Sequence, residues 1–187
     1  MPLKNKIDNI FLDRDGVINI DSGYVHKWSE FEFIEGTLEA LKYLTKLGIK
    51  LIIVTNQGGI AKGFYTEEDF QELNKKMIDR MRSNDIKILD TFYCPHHKDG
   101  NIPKLSMDCN YRKPKPGMIL AAAEKYSLDL SRSIIIGDKE TDLMAGKNAN
   151  LYQYFLIDPS YELSNKKSYI NGCFKNLNDF VFNHLEK

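Results

Sequence analysis

"IFLDRDGVI" spans residues 10 to 18 and decides the fold. The apolar residues Ile10, Phe11 and Leu12 run directly into Asp13, Arg14, Asp15 and Gly16. Such a run reads as a short buried strand, Asp8 to Leu12, that stops at a pair of carboxylates. Acids after a strand often only cap a helix or form a turn. Two of them flanking one strand end are costly to desolvate unless something positive sits beside them.

Outward from this stretch, Leu38, Leu41, Leu44 and Leu47 recur at near-helical spacing and Gly48 supplies a stop. Leu51 to Asn56 is a second apolar strand. Thr66-Glu67-Glu68-Asp69 then opens a helix with a capping hydroxyl and acids at its positive end, and Phe70, Leu73, Met77 and Met81 form its buried stripe. Ile88 to Cys94 gives a weaker third strand, and a helix starts near Pro116. Ser133 to Asp138 is the fourth strand, followed by a helix from about Glu140, a last strand over Gln153 to Ile157 and a closing helix over Leu177 to Leu185.

Alternating strands and helices predict an α/β fold, a doubly wound, Rossmann-like parallel sheet with helices on both faces, because parallel neighbours need crossover connections. With 187 residues, 42% of them hydrophobic, the chain suits a single domain over 1–187. Ligands in such folds bind beyond the carboxyl ends of the strands. There the chain places Asp13 and Asp15, then Thr55 and Asn56, then Asp138. Two irregular stretches, Asn19 to Glu35 and Pro95 to Pro114, are long enough to be functional loops. In the first, His26 and Trp28 either line a sugar site or fold the loop against the sheet, while Phe31 and Phe33 read as packing.

Lys plus Arg and Asp plus Glu both number 26, which argues against a broad basic face for nucleic acid and makes any phosphate specificity local. No apolar stretch reaches the length of a signal-peptide core or a membrane span, so the expectation is a cytoplasmic protein without a membrane partner. No heptad or long apolar face demands assembly, and a monomer is expected. Cys94, Cys109 and Cys173 are too few and too irregular for a disulfide framework, so they are expected as thiols or as thiolates on a metal. Cys173 and His184 carry no functional signal, and Cys173 reads as a small buried hydrophobe.

Carboxylates converging on one sheet edge call for a hard divalent cation, and Mg²⁺ suits one or two of them plus a substrate phosphate. Asp13 and Asp138 are the candidate ligands. With charge neutralised, Asp13 can attack phosphorus to give an aspartyl-phosphate. Asp15, two residues on, is the candidate general acid and base, worth roughly 10²- to 10⁴-fold in rate. Phosphoryl transfer also needs donors around the non-bridging oxygens. Thr55 offers a hydroxyl, and "RKPKPG" (residues 112–117) offers Lys113 between residues whose prolines favour an extended loop. Asp142 either caps its helix or orients Lys139 or a metal-bound water.

Together with "GYVH", "VTNQGGIAKG", "CPHH", "RKPKPGM" and "GDKETD", the order of these parts resembles the haloacid dehalogenase superfamily of phosphohydrolases. More narrowly it resembles the subgroup of heptose 1,7-bisphosphate 7-phosphatases and histidinol-phosphatases. The resemblance implies a fold without a large cap domain and removal of the C7 phosphate of D-glycero-D-manno-heptose 1,7-bisphosphate, a step toward nucleotide-activated heptose for surface polysaccharide. Histidinol phosphate is the alternative substrate. It also implies that the Asp15 carbonyl ligates Mg²⁺ and that Asp21, Ser22, Gly23, Tyr24, Thr55, Asn56, Gln57, Gly58, Arg112, Lys113 and Lys139 contact substrate. In this subgroup "CPHH" and a later Cys-x-Cys bind a structural zinc, which points to Cys94, His96 and Cys109 here, but Tyr111 stands where the fourth ligand belongs. Structural zinc is nearly always four-coordinate. Either His97, Asp108 or water completes the shell, or the site is empty and packing holds the loop.

A phospho-receiver module also combines a doubly wound sheet with clustered acids, a Thr and a Lys. Its acceptor Asp follows the third strand and has no second acid two residues on, whereas Asp13 and Asp15 follow the first strand here and Asp138 the fourth. The order of parts therefore favours a phosphatase.

Overall fold

The computed structural model describes residues 2–160 and 170–185. Ile10, Phe11 and Leu12 are wholly buried because β1 (Asn9–Leu12) lies in the interior of a six-stranded sheet. It pairs in parallel with β2 (Lys50–Asn56) on one side and β4 (Ser133–Gly137) on the other. Beyond these lie β3 (Ile88–Cys94), β5 (Gln153–Ile157) and β6 (Gly172–Phe174), in the order β3-β2-β1-β4-β5-β6. All five pairings are parallel, and the order reverses between β1 and β4, the point where a doubly wound sheet opens a crevice for ligand.

Successive strand residues point to opposite faces. Ile10 and Leu12, with Leu51, Ile53, Ile134 and Ile136, pack on Leu41 and Leu44 of α1 (Thr37–Lys46) and on Met77 and Met81 of α3 (Glu67–Arg82). Phe11, Ile52, Val54 and Ile135 face the other way, onto Met118, Ile119 and Ala122 of α4 (Gly117–Tyr126) and Ala145 of α5 (Glu140–Asn148). Each such buried side chain contributes about 1.5–3 kcal/mol. A one-turn helix, α2 (Gly59–Lys62), follows β2 directly.

The predicted helix starts hold. The Asp69 N–H donates to Thr66 Oγ1 (3.1 Å) and the Thr66 N–H to Asp69 Oδ2 (2.8 Å), closing a reciprocal cap on α3. Phe31 and Phe33 meet edge to face at 4.9 Å and pack against the core, as expected. Trp28 stacks on Phe31 and His26 on Tyr65, so these two also fold the long loop down.

The closing helix spans Leu177 to Leu185 as expected, as α6 (Leu177–Phe180) continued by a π turn over Val181–Leu185. Two expectations change. Gln153 to Ile157 is not the last strand, because the three-residue β6 adds to it. The proline-flanked stretch around Lys113 is folded into turns instead of extended, with the Lys115 N–H donating to the Arg112 carbonyl at 2.9 Å.

Candidate active site

The Asp13 N–H donates to the Ile136 carbonyl at 3.0 Å, so the pairing of β1 with β4 runs one residue past the strand and brings Asp13 beside the end of β4. There the chain turns through Gly16 at φ +85°, and a Cβ on Gly16 would lie 2.3 Å from Asp138 Oδ2. Only glycine combines that left-handed turn with so close an approach. At Gly137 the close approach alone excludes a side chain, since a Cβ there would lie 2.2 Å from the Asp142 Cβ. As a result Asp13, Asp138 and Asp142 each present an oxygen within 4.8 Å of the others.

Lys113 answers this concentration of negative charge. Its ammonium lies 2.9 Å from Asp13 Oδ1, 2.6 Å from Asp142 Oδ1 and 2.7 Å from the Val54 carbonyl, with the residue only 3% exposed. Burial lowers its pKa, but the two carboxylates more than offset that and hold it above the ordinary lysine value. Burial pushes Asp13 up to about 8, opposed by Lys113 and reinforced by Asp142, Asp138 and Asp15. Burial and Asp142 likewise raise Asp138 to about 6.

Asp138 Oδ1 is buried and has no hydrogen-bond partner. An orphaned carboxylate oxygen beside a second buried carboxylate is costly as it stands and is the donor chemistry a hard divalent cation takes. Asp13 and Asp138 therefore fit a Mg²⁺ ion. Asp142 is already committed: Oδ1 holds Lys113, and Oδ2 accepts the Lys139 main-chain N–H at 2.9 Å. Of the alternatives for Asp142 the cap holds, since its Oδ2 takes the N–H of the residue that caps α5, while the Lys139 ammonium goes to Asp21 (2.9 Å) and Asp138 (3.5 Å) and is not oriented by Asp142.

Asp15 accepts four N–H groups: Arg14 Nε at 3.1 Å and Nη2 at 2.9 Å, Asn19 Nδ2 at 3.0 Å and Gln57 Nε2 at 3.2 Å. Arg14 is itself almost wholly buried, donates to the Val25 carbonyl at 2.8 Å and lies over the Phe70 ring. Gln57 also donates to Thr55 Oγ1 (2.8 Å) and accepts from the Tyr65 hydroxyl (2.5 Å). The second acid is therefore held by a fork in fixed geometry.

The amide of Asn56 is spent on the Lys113 main chain, accepting its N–H at 3.0 Å and donating to its carbonyl at 3.1 Å. Arg112 Nη1 donates to the His96 carbonyl at 3.1 Å. His96 belongs to a second cluster, in which its Nδ1 and the sulfurs of Cys94 and Cys109 lie within 4.8 Å of one another. Neither alternative fourth donor joins them. His97 lines the cleft beside Arg112 and Lys113, with Nδ1 accepting the Asp99 N–H, and Asp108 pairs with Lys115 at 2.6 Å.

A model of the polynucleotide kinase 3 phosphatase family matches residues 9–167. The D-glycero-alpha-D-manno-heptose-1,7-bisphosphate 7-phosphatase of Photorhabdus laumondii is 45% identical over 160 residues, covering 86% of this chain and 87% of that one. The chain belongs to this family of haloacid dehalogenase-like phosphatases. The phosphatase is also 41% identical over 155 residues to the D-glycero-beta-D-manno-heptose-1,7-bisphosphate 7-phosphatase of Escherichia coli K12, covering 83% of this chain and 81% of that one. Among solved structures, a had-like phosphatase of Mesorhizobium loti superposes with TM-score 0.77 at 37% identity, over 81% of this chain and 73% of the other. The D,D-heptose 1,7-bisphosphate phosphatase of B. bronchiseptica, complexed with magnesium and phosphate, superposes with TM-score 0.79 at 26% identity, over 94% and 96%. The phosphatase is accordingly a phosphoric monoester hydrolase by class.

In this phosphatase Asp13, Asp15, Thr55 and Lys113 line one cleft of about 360 Å³. Asp21, Gly23, Tyr24, Asn56, Gln57, Gly58, Arg112 and Lys139 line it as well. Ser22 is exposed on its loop and does not, and Asp138 sits beside Gly16 at the end of β4 without lining the cleft. The sequence reading missed Arg14 and Asn19, which bind Asp15, Tyr65, which holds Gln57 against it, and Lys62, whose ammonium meets the Tyr24 hydroxyl at 2.8 Å. Arg14 left one usable signal, a cation between two acids at the end of an apolar run.

Proposed function

We propose that this phosphatase removes the C7 phosphate of D-glycero-D-manno-heptose 1,7-bisphosphate through a transient aspartyl-phosphate on Asp13. The observation that carries the chemistry is the buried Asp13 carboxylate with Oδ1 fixed by the Arg14 N–H (2.7 Å) and the Lys113 ammonium (2.9 Å), beside the unpartnered oxygen of Asp138. This leaves Asp13 Oδ2 as the oxygen that attacks phosphorus while the bond from phosphorus to the C7 oxygen breaks. Asp15, steadied by Arg14, Asn19 and Gln57, gives the leaving oxygen its proton and then takes one from the water that attacks the acyl phosphate. That second step returns Asp13 and releases inorganic phosphate.

Lys113, Thr55 and the amides after β2 surround the transferred phosphoryl, and Lys113 keeps its positive charge at that position. Mg²⁺ on Asp13, Asp138 and the Asp15 carbonyl, when bound, supplies the positive charge that lets a carboxylate approach an anionic ester. Arg112, Lys139 and Lys62 line the rest of the cleft, cations that suit a substrate carrying a second phosphate.

Support for the heptose comes from relatives above 40% identity that are named as heptose-1,7-bisphosphate 7-phosphatases; the names of the two described above divide between the alpha and beta anomers. The family description favours a second reading, a nucleic-acid end phosphate, but a chain with balanced charge lacks the excess of cations that binding a polyanion calls for. Phosphate release from a panel of both heptose bisphosphate anomers, histidinol phosphate and a 3′-phosphorylated oligonucleotide separates the readings. One heptose anomer is expected to exceed histidinol phosphate by at least about a hundredfold in kcat/KM. Equal rates across the panel would overturn the heptose assignment.

A further inference from the structure

Cys94, His96 and Cys109 form a three-donor cluster away from the carboxylates. Cys94 Sγ and His96 Nδ1 are 3.8 Å apart, close to the edge of roughly 3.5 Å in a tetrahedron with zinc–sulfur and zinc–nitrogen bonds of about 2.3 and 2.0 Å. The donors present thus fit zinc, one ligand short. Position 111, two residues after Cys109, contributes only its main-chain N–H, which donates to Cys109 Sγ at 3.4 Å, while its phenol side chain is exposed.

A cleft of about 330 Å³ opens over this cluster, lined by Glu67, Tyr93, Pro95, His96, Cys109 and Tyr111. Two of the three donors face it and the third, Cys94, is fully buried behind them. The uncovered side of the cluster is therefore the side toward the cleft. Glu67 lies outside the donor group and is engaged by the Tyr93 hydroxyl.

We propose that Cys94, His96 and Cys109 hold a zinc ion whose fourth position opens onto this cleft and takes an exchangeable ligand, a small thiol in preference to water. Structural zinc sites are closed by four protein donors, whereas a site with three keeps a position for an outside ligand. Zinc takes thiolate sulfur as a ligand and its open position exchanges, so a small thiol can displace the water there. The thiol binds as thiolate, its proton passing to solvent as a water leaves, and nothing is oxidised.

The test uses the whole chain, stripped with a chelator, loaded with Co²⁺ as a spectroscopic stand-in and titrated with 2-mercaptoethanol. About one equivalent of Co²⁺ is expected, with a thiolate-to-cobalt charge-transfer band that grows saturably by about half as two thiolates become three. Tyr111→Cys is expected to show the higher intensity from the start, to ignore added thiol, and to yield zinc to a chromophoric chelator at least about ten times more slowly. Cys109→Ser is expected to lose uptake. If Tyr111→Cys does not fold, the wild-type titration decides alone. Uptake below about a tenth of an equivalent, uptake retained by Cys109→Ser, or a wild-type band unmoved by thiol would overturn the proposal.

Discussion

The Lys113 ammonium stands 2.6 Å from the Asp142 carboxylate, and both side chains are almost completely sealed from solvent. Removing one partner of a buried pair leaves the other charge uncompensated, at about 3–5 kcal/mol. Lys113→Ala is therefore expected to lose stability of that size in urea denaturation together with nearly all turnover. Asp142→Asn keeps the shape but not the charge, so it should lower kcat by about tenfold or more while KM changes little. A wild-type kcat in Asp142→Asn would show that this contact does not position the cation.

Asp13 is expected to separate stability from activity. Its carboxylate is disfavoured in the metal-free fold, first by burial and then by three neighbouring acids. Asp13→Asn should therefore melt at or above the wild-type temperature at about pH 8 without Mg²⁺, while turnover falls by roughly 10⁴-fold or more, as when a covalent nucleophile is removed. Substantial turnover in this variant would exclude Asp13 as the attacking group.

The raised pKa values set a pH dependence with a definite sign. Asp13 and Asp138 titrate near 8 and 6 in the fold against 3.8 unfolded, so the metal-free fold keeps protons that the unfolded chain has lost. That contribution is complete below pH 3.8 and is lost as pH rises through about 6 and then about 8. Mg²⁺ needs the ionised forms, so its affinity should rise across the same window and its binding should release protons. Thermal melts with and without Mg²⁺, and calorimetry in buffers of different ionisation enthalpy, measure both effects. A stabilisation by Mg²⁺ that stays constant from about pH 5.5 to about 8.5 would refute the linkage.

Gly16→Ala places a methyl group 2.3 Å from Asp138 Oδ2 and forces a non-glycine residue to φ +85°. The backbone cost is about 1–3 kcal/mol. Because Asp138 has to move, the Mg²⁺ concentration for half-maximal activity should rise about tenfold or more, with secondary structure retained by circular dichroism. An unchanged Mg²⁺ requirement would mean that Asp138 does not hold the ion.

The sequence made legible what strand ends deliver. β1, β2 and β4 are continuous apolar runs buried on both faces, so Asp13, Thr55 and Asp138 could be placed at one edge before any coordinates. β3 gave a weaker signal because it is an edge strand that is half-buried up to Cys94. β6 gave none: it is three residues long and is held by Phe174, which packs on Phe155, Phe180 and the His184 ring, contacts that no local pattern encodes. Around Asp15, Arg14 aims back at its neighbour while Asn19 and Tyr65 arrive from loops, so spacing along the chain could not assign them. Asp142 was paired with Lys139 on helical proximity, but its ion-pair partner comes from a distant loop.

That loop is not free to wander. Asn56 binds both the N–H and the carbonyl of Lys113, imitating with a side chain the pairing that a further strand residue would have made. Thr55 and Lys113, far apart in the chain, are thereby riveted through one intervening amide. Whatever shifts one shifts the other, so in the proposed reaction hydroxyl and ammonium would meet the phosphoryl group in constant register, their spacing insulated from movements elsewhere along the rim.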